Sequence, residues 1–310
     1  MAKQSNTTKS VSSSISDTTT LPFIVTNKAI SLTIISLIIF AVSGSVWWKQ
    51  VYNSPRRVFE GMLKTNLTTQ SVTRTTVSDD SSSAIEKYEQ LSFVPPMASR
   101  TAAVINQGSG DSETHVISET VGTNDADYSR YVKIDTNQKG SSGNKLDYSN
   151  VLNIWGNSPY PQAYPQTVLG LIPFANLKAK DLPEMLTLFT DSKAYEVDYS
   201  SVEPRRIDGK SALVFSVKIN TGQYVKVLKT IASRAGFSDF ADLNPDDYAN
   251  SAPITVKLTV DKLSRQLLEA DYVDTGQKEQ YSAYGLSLPV LVPEKYESIE
   301  SLQQKIQEIQ

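Results

Sequence analysis

The stretch ITVKLTVDKLSRQLLEADYV, Ile254 to Val273, decides the fold. It reads as one strand, Ile254 to Val260, a polar turn at Asp261-Lys262, and a second strand, Leu267 to Val273, running back beside the first. Lys278 to Ala283 adds a third strand, so the chain closes in an antiparallel meander. Just upstream, Leu213, Phe215, Val217 and Ile219 alternate with Val214, Ser216 and Lys218 over Ala212 to Asn220, the period of two that buries one face of a sheet. Asp208-Gly209 supplies a hairpin turn between that strand and another at Ala194 to Tyr199.

The same pattern extends toward the N-terminus. Ser71 to Ser78 is rich in β-branched residues, and Ile85 to Phe93, Arg100 to Asn106, Thr114 to Val121 and Tyr128 to Asp135 are short strands separated by Ser/Asp/Gly or Pro-Pro turns. Within the last of these, Val132 and Ile134 fall on one face and Tyr131 and Lys133 on the other. Ahead of them, Ser54-Pro55 gives an N-cap and a proline for the first helical position, followed by Val58, Met62 and Leu63 at helical spacing. Two more helices are expected: Tyr224 to Ala235, with Val225, Leu228, Ile231 and Ala232 on one side and Gly236 as its stop, and a charged one at Ser298 to Gln310.

The middle of the chain departs from the strand pattern. After a Gly/Ser linker come WGNSPYPQAYP around Trp155, the run LGLIPF at Leu169 to Phe174, and a helix at Asp181 to Phe189 with Leu182, Met185, Leu186 and Phe189 on one side. This is an apolar insert laid over a sheet. Its side chains either complete the core or form a lid that encloses a dry pocket for an apolar ligand. The pocket candidates are Trp155, Leu169, Leu171, Ile172, Phe174, Leu186 and Phe189 from the insert, with Phe215, Val217, Val256 and Leu258 from the sheet.

Residues 29–48, AISLTIISLIIFAVSGSVWW, carry no charge and match the ~30 Å hydrocarbon core of a bilayer at about 1.5 Å per helical residue. Lys28 at one end and Trp47, Trp48 and Lys49 at the other suit the two water interfaces. The apolar run is too long for a cleaved signal peptide and lacks a small-residue cleavage site, so it is read as an uncleaved transmembrane anchor. Residues 1–28 form a Ser/Thr-rich tail without apolar periodicity, which predicts disorder. Residues 54–310 then make the folded domain, long enough for a substantial core. Lys49, Arg56, Arg57 and Lys64 outnumber Lys3, Lys9 and Lys28, so the local flank count by itself favours a cytoplasmic domain.

Composition excludes several chemistries. The net charge of -3, with no dense Lys/Arg block, gives no footprint for nucleic acid. Cysteine is absent, which removes disulfides, thiolate metal sites, a cysteine nucleophile and a lipidated cysteine. The single histidine, His115, sits in an expected strand, so neither a multi-histidine metal site nor a Ser/His triad can be assembled. Asp242, Asp246 and Asp247 lack the glycine and terminal glutamate of a calcium loop, and no phosphate-cradling glycine motif is present. No catalytic, metal or cofactor site is expected.

The C-terminal segment, with Val260-Asp261-Lys262, Leu267 to Val273, Tyr284-Gly285 and Leu291-Val292-Pro293, resembles the LolA/LolB-like superfamily and, within it, the LppX/LprG type of mycobacterial envelope lipoprotein. In that pattern a strand ends at an Asp-Lys turn, a second runs back, and a Tyr-Gly segment leads into a final apolar strand and a proline. The resemblance implies an α+β fold, a curved antiparallel half-barrel sheet with covering helices, here preceded by one transmembrane helix. It also implies a domain outside the cytoplasm that binds lipid or another apolar ligand without converting it, against the local charge count. The alternative on the same scaffold is an envelope sensor or protein-interaction module with a filled core and a protein partner. The family's lipidated cysteine is missing and the anchor stands in its place, which favours a fixed acceptor over a diffusing shuttle.

Overall fold

The computed structural model describes residues 27–46, 52–80, 83–141, 143–237, 240, 242–286 and 289–309, with the side chains of residues 27–33, 45, 46 and 80 left aside. The expected tail up to Thr26 and the Trp47-Trp48-Lys49 flank lie outside these residues. The chain forms two compact units, Met1–Val51 and Tyr52–Gln310. In the first, α1 (Asn27–Val46) is a 20-residue helix. Residues 34–44 of it are all exposed, among them Ile38, Ile39 and Phe40. Among the described residues no helix is long and apolar enough to cross a membrane.

The second unit is one 13-stranded sheet dressed with helices. After α2 (Pro55–Leu67), five ten-residue strands run in series: β1 (Ser71–Asp80), β2 (Ser83–Ser92), β3 (Ala98–Gln107), β4 (Thr114–Thr123) and β5 (Asp127–Thr136). Short β6 (Gly156–Ser158) follows, then the insert with α3 (Ala163–Val168) and α4 (Leu182–Asp191). The chain returns through β7 (Tyr195–Val197), β8 (Glu203–Ile207) and β9 (Lys210–Ile219), then α5 (Thr221–Ala235). The closing meander is β10 (Ile254–Asp261), β11 (Leu267–Tyr272) and β12 (Lys278–Ser282), and the chain finishes with β13 (Glu297–Ser298) and α6 (Ile299–Gln307).

In space the order is β13-β6-β5-β4-β3-β2-β1-β12-β11-β10-β9-β7, with β8 also on β9. The first long strand therefore pairs with the last, Thr73 opposite Ser282. All pairings are antiparallel except β13 with β6. The result is the curved α+β sheet expected.

The period-two strands explain the core. Leu213, Phe215, Val217 and Ile219 of β9 stand opposite Val260, Leu258, Val256 and Ile254 of β10, a cross-strand apolar ladder on the sheet's inner face. Onto it pack Val58, Phe59, Met62, Leu63 and Leu67 of α2, Met185 and Phe189 of α4, and Tyr224, Val227 and Ile231 of α5. Asn220 caps α5 by accepting from the Gln223 N–H at 3.3 Å, and Gly236 ends it at φ 87°, a left-handed conformation that glycine adopts without strain. A smaller core of Tyr148, Val151 and Leu302 seats α6 at the other end.

Three sequence expectations are corrected. The Asp208-Gly209 turn, with both residues at positive φ, joins β8 to β9, while β7 pairs with the far end of β9, Tyr195 opposite Ile219. Leu291-Val292 is not a strand; Leu291 is 78% exposed and the final pairing is β13 on β6. In β5 a bulge breaks the alternation: Lys133 faces Ile117 but Tyr131 faces Ser118, so Val132 is skipped and Tyr131 joins Ile134 on the inner face.

Candidate functional site

Ten of the eleven pocket candidates meet in one place. Leu169, Ile172, Phe174 and Phe189 from the insert and Phe215, Val217, Val256 and Leu258 from the sheet are buried together, with Leu171 and Leu186 packed partly buried at the edge. Phe59 forms an edge contact with Phe215 at 5.5 Å between ring centroids, Phe174 stacks on Tyr281 at 5.1 Å, and Tyr195 stacks on Tyr224 at 5.8 Å. Trp155 is apart from this group. Its ring lies under the Arg130 guanidinium at 4.7 Å, and Arg130 alternates with Tyr131 to the opposite face of β5.

The insert is tied down by its backbone. Ala175 N–H donates to Asn66 O and Leu177 N–H to Leu67 O, extending the end of α2. Buried tyrosines clasp its carbonyls: Tyr195 donates to Leu171 O at 2.6 Å and Tyr224 to Gly170 O. Burial pushes both hydroxyls far above the ordinary tyrosine range, so they stay protonated donors. Arg74 adds a bond to Thr167 O at 3.1 Å while held by Glu89. Burial alone would lower the Arg74 pKa, but the hydrogen bond and charge of Glu89 carry it upward, and it remains a cation inside the domain.

A cavity of about 330 Å³ opens where the insert crosses the turn after β2 and the end of α5. Its apolar wall includes Phe93, Met97, Val168, Phe174, Leu177 and Phe237. Tyr164 completes it, meeting Phe237 edge-on at 5.6 Å and donating its hydroxyl to Ser92 O at 2.9 Å. The mouth is charged: Lys178 and Lys180 are exposed, and Arg234 bonds Glu184 at 2.9 Å and Asp181 at 3.5 Å. A second cavity of about 140 Å³ lies between α2, α4 and β7 and includes Phe189. Of the eleven candidates, Phe174 lines the first of these cavities and Phe189 the second; the others line neither.

The sequence signals for the first of these cavities are the Pro95-Pro96 turn flanked by Phe93 and Met97, and Phe237 directly after the Gly236 stop, where a helix commonly plants an apolar contact. His115 is on β4, its Nδ1 2.6 Å from Asn106 Oδ1 on the neighbouring strand. Among the described residues no group of three or more His, Cys, Asp or Glu side chains could hold a metal ion.

No protein-family model and no curated protein sequence matches the chain. Among solved structures it is similar to LprF from Mycobacterium bovis, with 10% identity over 77% of this chain and 96% of that one and a TM-score of 0.40. It is also similar to MucB, with 11% identity over 79% of this chain and 64% of that one and a TM-score of 0.33.

Proposed function

We propose that the chain is a membrane-anchored, extracytoplasmic binding protein, without catalytic activity, that takes an apolar or amphiphilic molecule such as a lipid. The observation that carries this reading is the cavity of about 330 Å³, apolar inside and cationic at the mouth. It is at the lower end of small-molecule pockets, ~300–1,000 Å³. An acyl or aromatic group would lie against Phe93, Val168, Phe174 and Phe237, and Lys178 and Lys180 would face an anionic head. The anchor rests on the sequence alone, on the charge-free run at residues 29–48 and its Lys and Trp flanks.

A second reading is supported by the inner face itself, which is filled by the protein's own side chains under α2, α4 and α5. On that reading the domain presents its surface to an envelope protein and the cavity is incidental.

The test uses the full chain in mild detergent, assayed for co-purifying lipid by mass spectrometry and for uptake of a fluorescent fatty acid. Ala235 borders the cavity and is half-buried, so Ala235→Trp fills it without touching the ladder. Uptake by the native chain and about tenfold weaker uptake by the variant are expected. Absence of uptake, or equal uptake by both, overturns ligand binding in favour of the interaction module. Proteolysis of the domain on intact cells tests its orientation.

A further inference from the structure

The inner face has a second opening, at the end remote from the ladder. Thr114, Val116, Ser118, Thr120 and Gly122 share one face of β4. A Cβ on Gly122 would lie 2.6 Å from Tyr164 N, so this is the face that α3 covers. Farther along the same face, toward the β3–β4 hairpin, a recess of about 420 Å³ lies against α6.

Its chemistry differs from that of the other cavity. No charged residue lines it. Thr114 and Thr136, paired across the strands at 2.9 Å, and Val116 and Ile134, also opposite one another, make its floor. Gln107 and Gln138 stand at its edges, and Ile306 of α6 closes one wall. Two aromatic rings face into this set, Tyr131 and Tyr148. Among the described residues no hydrogen bond within the protein engages either tyrosine hydroxyl or either glutamine amide. Tyr148 is 9% exposed and belongs to the buried cluster with Leu302, so its unpartnered hydroxyl belongs to a ring fixed by packing.

Tyr131 is there because of the β-bulge. Regular alternation would send it to the outer face with Lys133; the skipped Val132 turns it inward beside Ile134. Bulges are a common device for re-aiming a side chain at a functional site. The rim is also preorganised. Gly108 has φ 78°, and a Cβ there would lie 2.5 Å from Ser112 O, while Asn137 Nδ2, just past β5, donates to Gly110 O in the β3–β4 connection at 3.0 Å.

We propose that this recess is a binding site for an uncharged polyhydroxylated ligand, a saccharide unit. The aliphatic face of a sugar ring packs on an aromatic ring, and its hydroxyls exchange hydrogen bonds with amides and phenols that both donate and accept. A lipid tail would desolvate the two tyrosine hydroxyls without pairing them, and an ionic ligand would find no counter-charge in the lining. The site is separate from the one under Proposed function, and either can fail without the other.

The experiment is saturation-transfer NMR and calorimetric titration of the full chain in mild detergent with maltotriose and chitotriose, against trigalacturonate and a fatty acid as comparators. Binding of a neutral trisaccharide with a Kd below about 10 mM is expected. Tyr148→Phe, which keeps the packed ring and removes only the hydroxyl, and Gln138→Ala, at an exposed position, each weaken it about tenfold. Ala235→Trp leaves it unchanged. The proposal is overturned if neither neutral probe binds, if both variants bind as the native chain does, if Ala235→Trp abolishes binding, or if trigalacturonate or the fatty acid displaces the sugar.

Discussion

The two ends of one sheet face are put to different uses. At the β9–β10 end, Phe215, Val217, Val256 and Leu258 have at most 1% of their surface exposed, and three helices cover them. At the β3–β5 end the corresponding inner positions are Gln107, Thr114, Val116 and Thr136, and the buried apolar cluster there among the described residues is the small one of Tyr148, Val151 and Leu302 of α6. A continuous antiparallel sheet needs only one well-packed region to fix its register, because the hydrogen-bonded ladder carries order outward strand by strand. Concentrating the core at one end relieves the other of packing and leaves polar groups there free to meet a ligand. Stability is then uneven, highest at the ladder and lowest at α6.

The largest effect tests the packed end. Phe215→Asp puts a carboxylate against Phe59 and Leu258 with no partner in reach, and removes a ring whose loss alone costs ~3–5 kcal/mol. The whole domain is expected to lose its cooperative melt; a retained transition near the native temperature would mean that the ladder is not what holds the sheet. Next comes the polar seam beside the ladder, where Arg74 is joined to Glu89, and Glu279 accepts from Tyr272 at 3.0 Å and from Tyr281. Arg74→Met leaves Glu89 buried without its cation and is expected to cost ~3–5 kcal/mol, whereas Arg74→Met with Glu89→Leu costs clearly less. Equal losses in urea titrations would show that the ion pair itself, not the stranded charge, sets the penalty.

The packed end was the legible one. The strand alternation in Ala212–Asn220, the Ser54-Pro55 start and the Gly236 stop depend on local rules that burial reinforces, and strands and helices stand where those rules put them. The insert was recognisable as apolar, and most of its large side chains do cover the sheet. Three things were hidden. Trp155 is apolar enough to suit a core, yet Arg130 offers its ring a cation on the outer face, and nothing in the sequence spacing joins the two. The cavity beside α5 is walled by residues from four separate segments, and only the fold brings them together. The bulge at Val132 adds one residue to one strand, which reverses every alternation argument beyond it.

At the open end a smaller loss is expected. Leu302→Ala removes the one fully buried side chain of α6 and is expected to cost about 2–3 kcal/mol at that end. Hydrogen exchange read strand by strand should show α6, β13 and β6 losing protection while β9 and β10 keep theirs. Uniform loss across the sheet would mean that the two ends unfold as one unit and that the division between them has no energetic content.

The smallest effect reads the outer face of the same end. Glu119 bridges Arg100 of β3 at 3.0 Å and Arg130 of β5 at 2.6 Å. Partial burial alone would raise the Glu119 pKa, but the two guanidinium groups more than offset it and the net shift is downward. The folded state therefore prefers the ionised carboxylate, so the contribution is fully present above the ordinary glutamate pKa and disappears as pH falls through the lower folded-state value. Glu119→Gln should cost about 0.5–1 kcal/mol at neutral pH, the scale of partly exposed ion pairs, and the gap to the native chain should close on acidification. Urea midpoints measured across the acidic range decide it: a gap that stays constant with pH would assign the loss to packing beside Arg130 and Trp155 and not to charge, leaving the outer face as mechanically passive as the recess behind it is chemically specific.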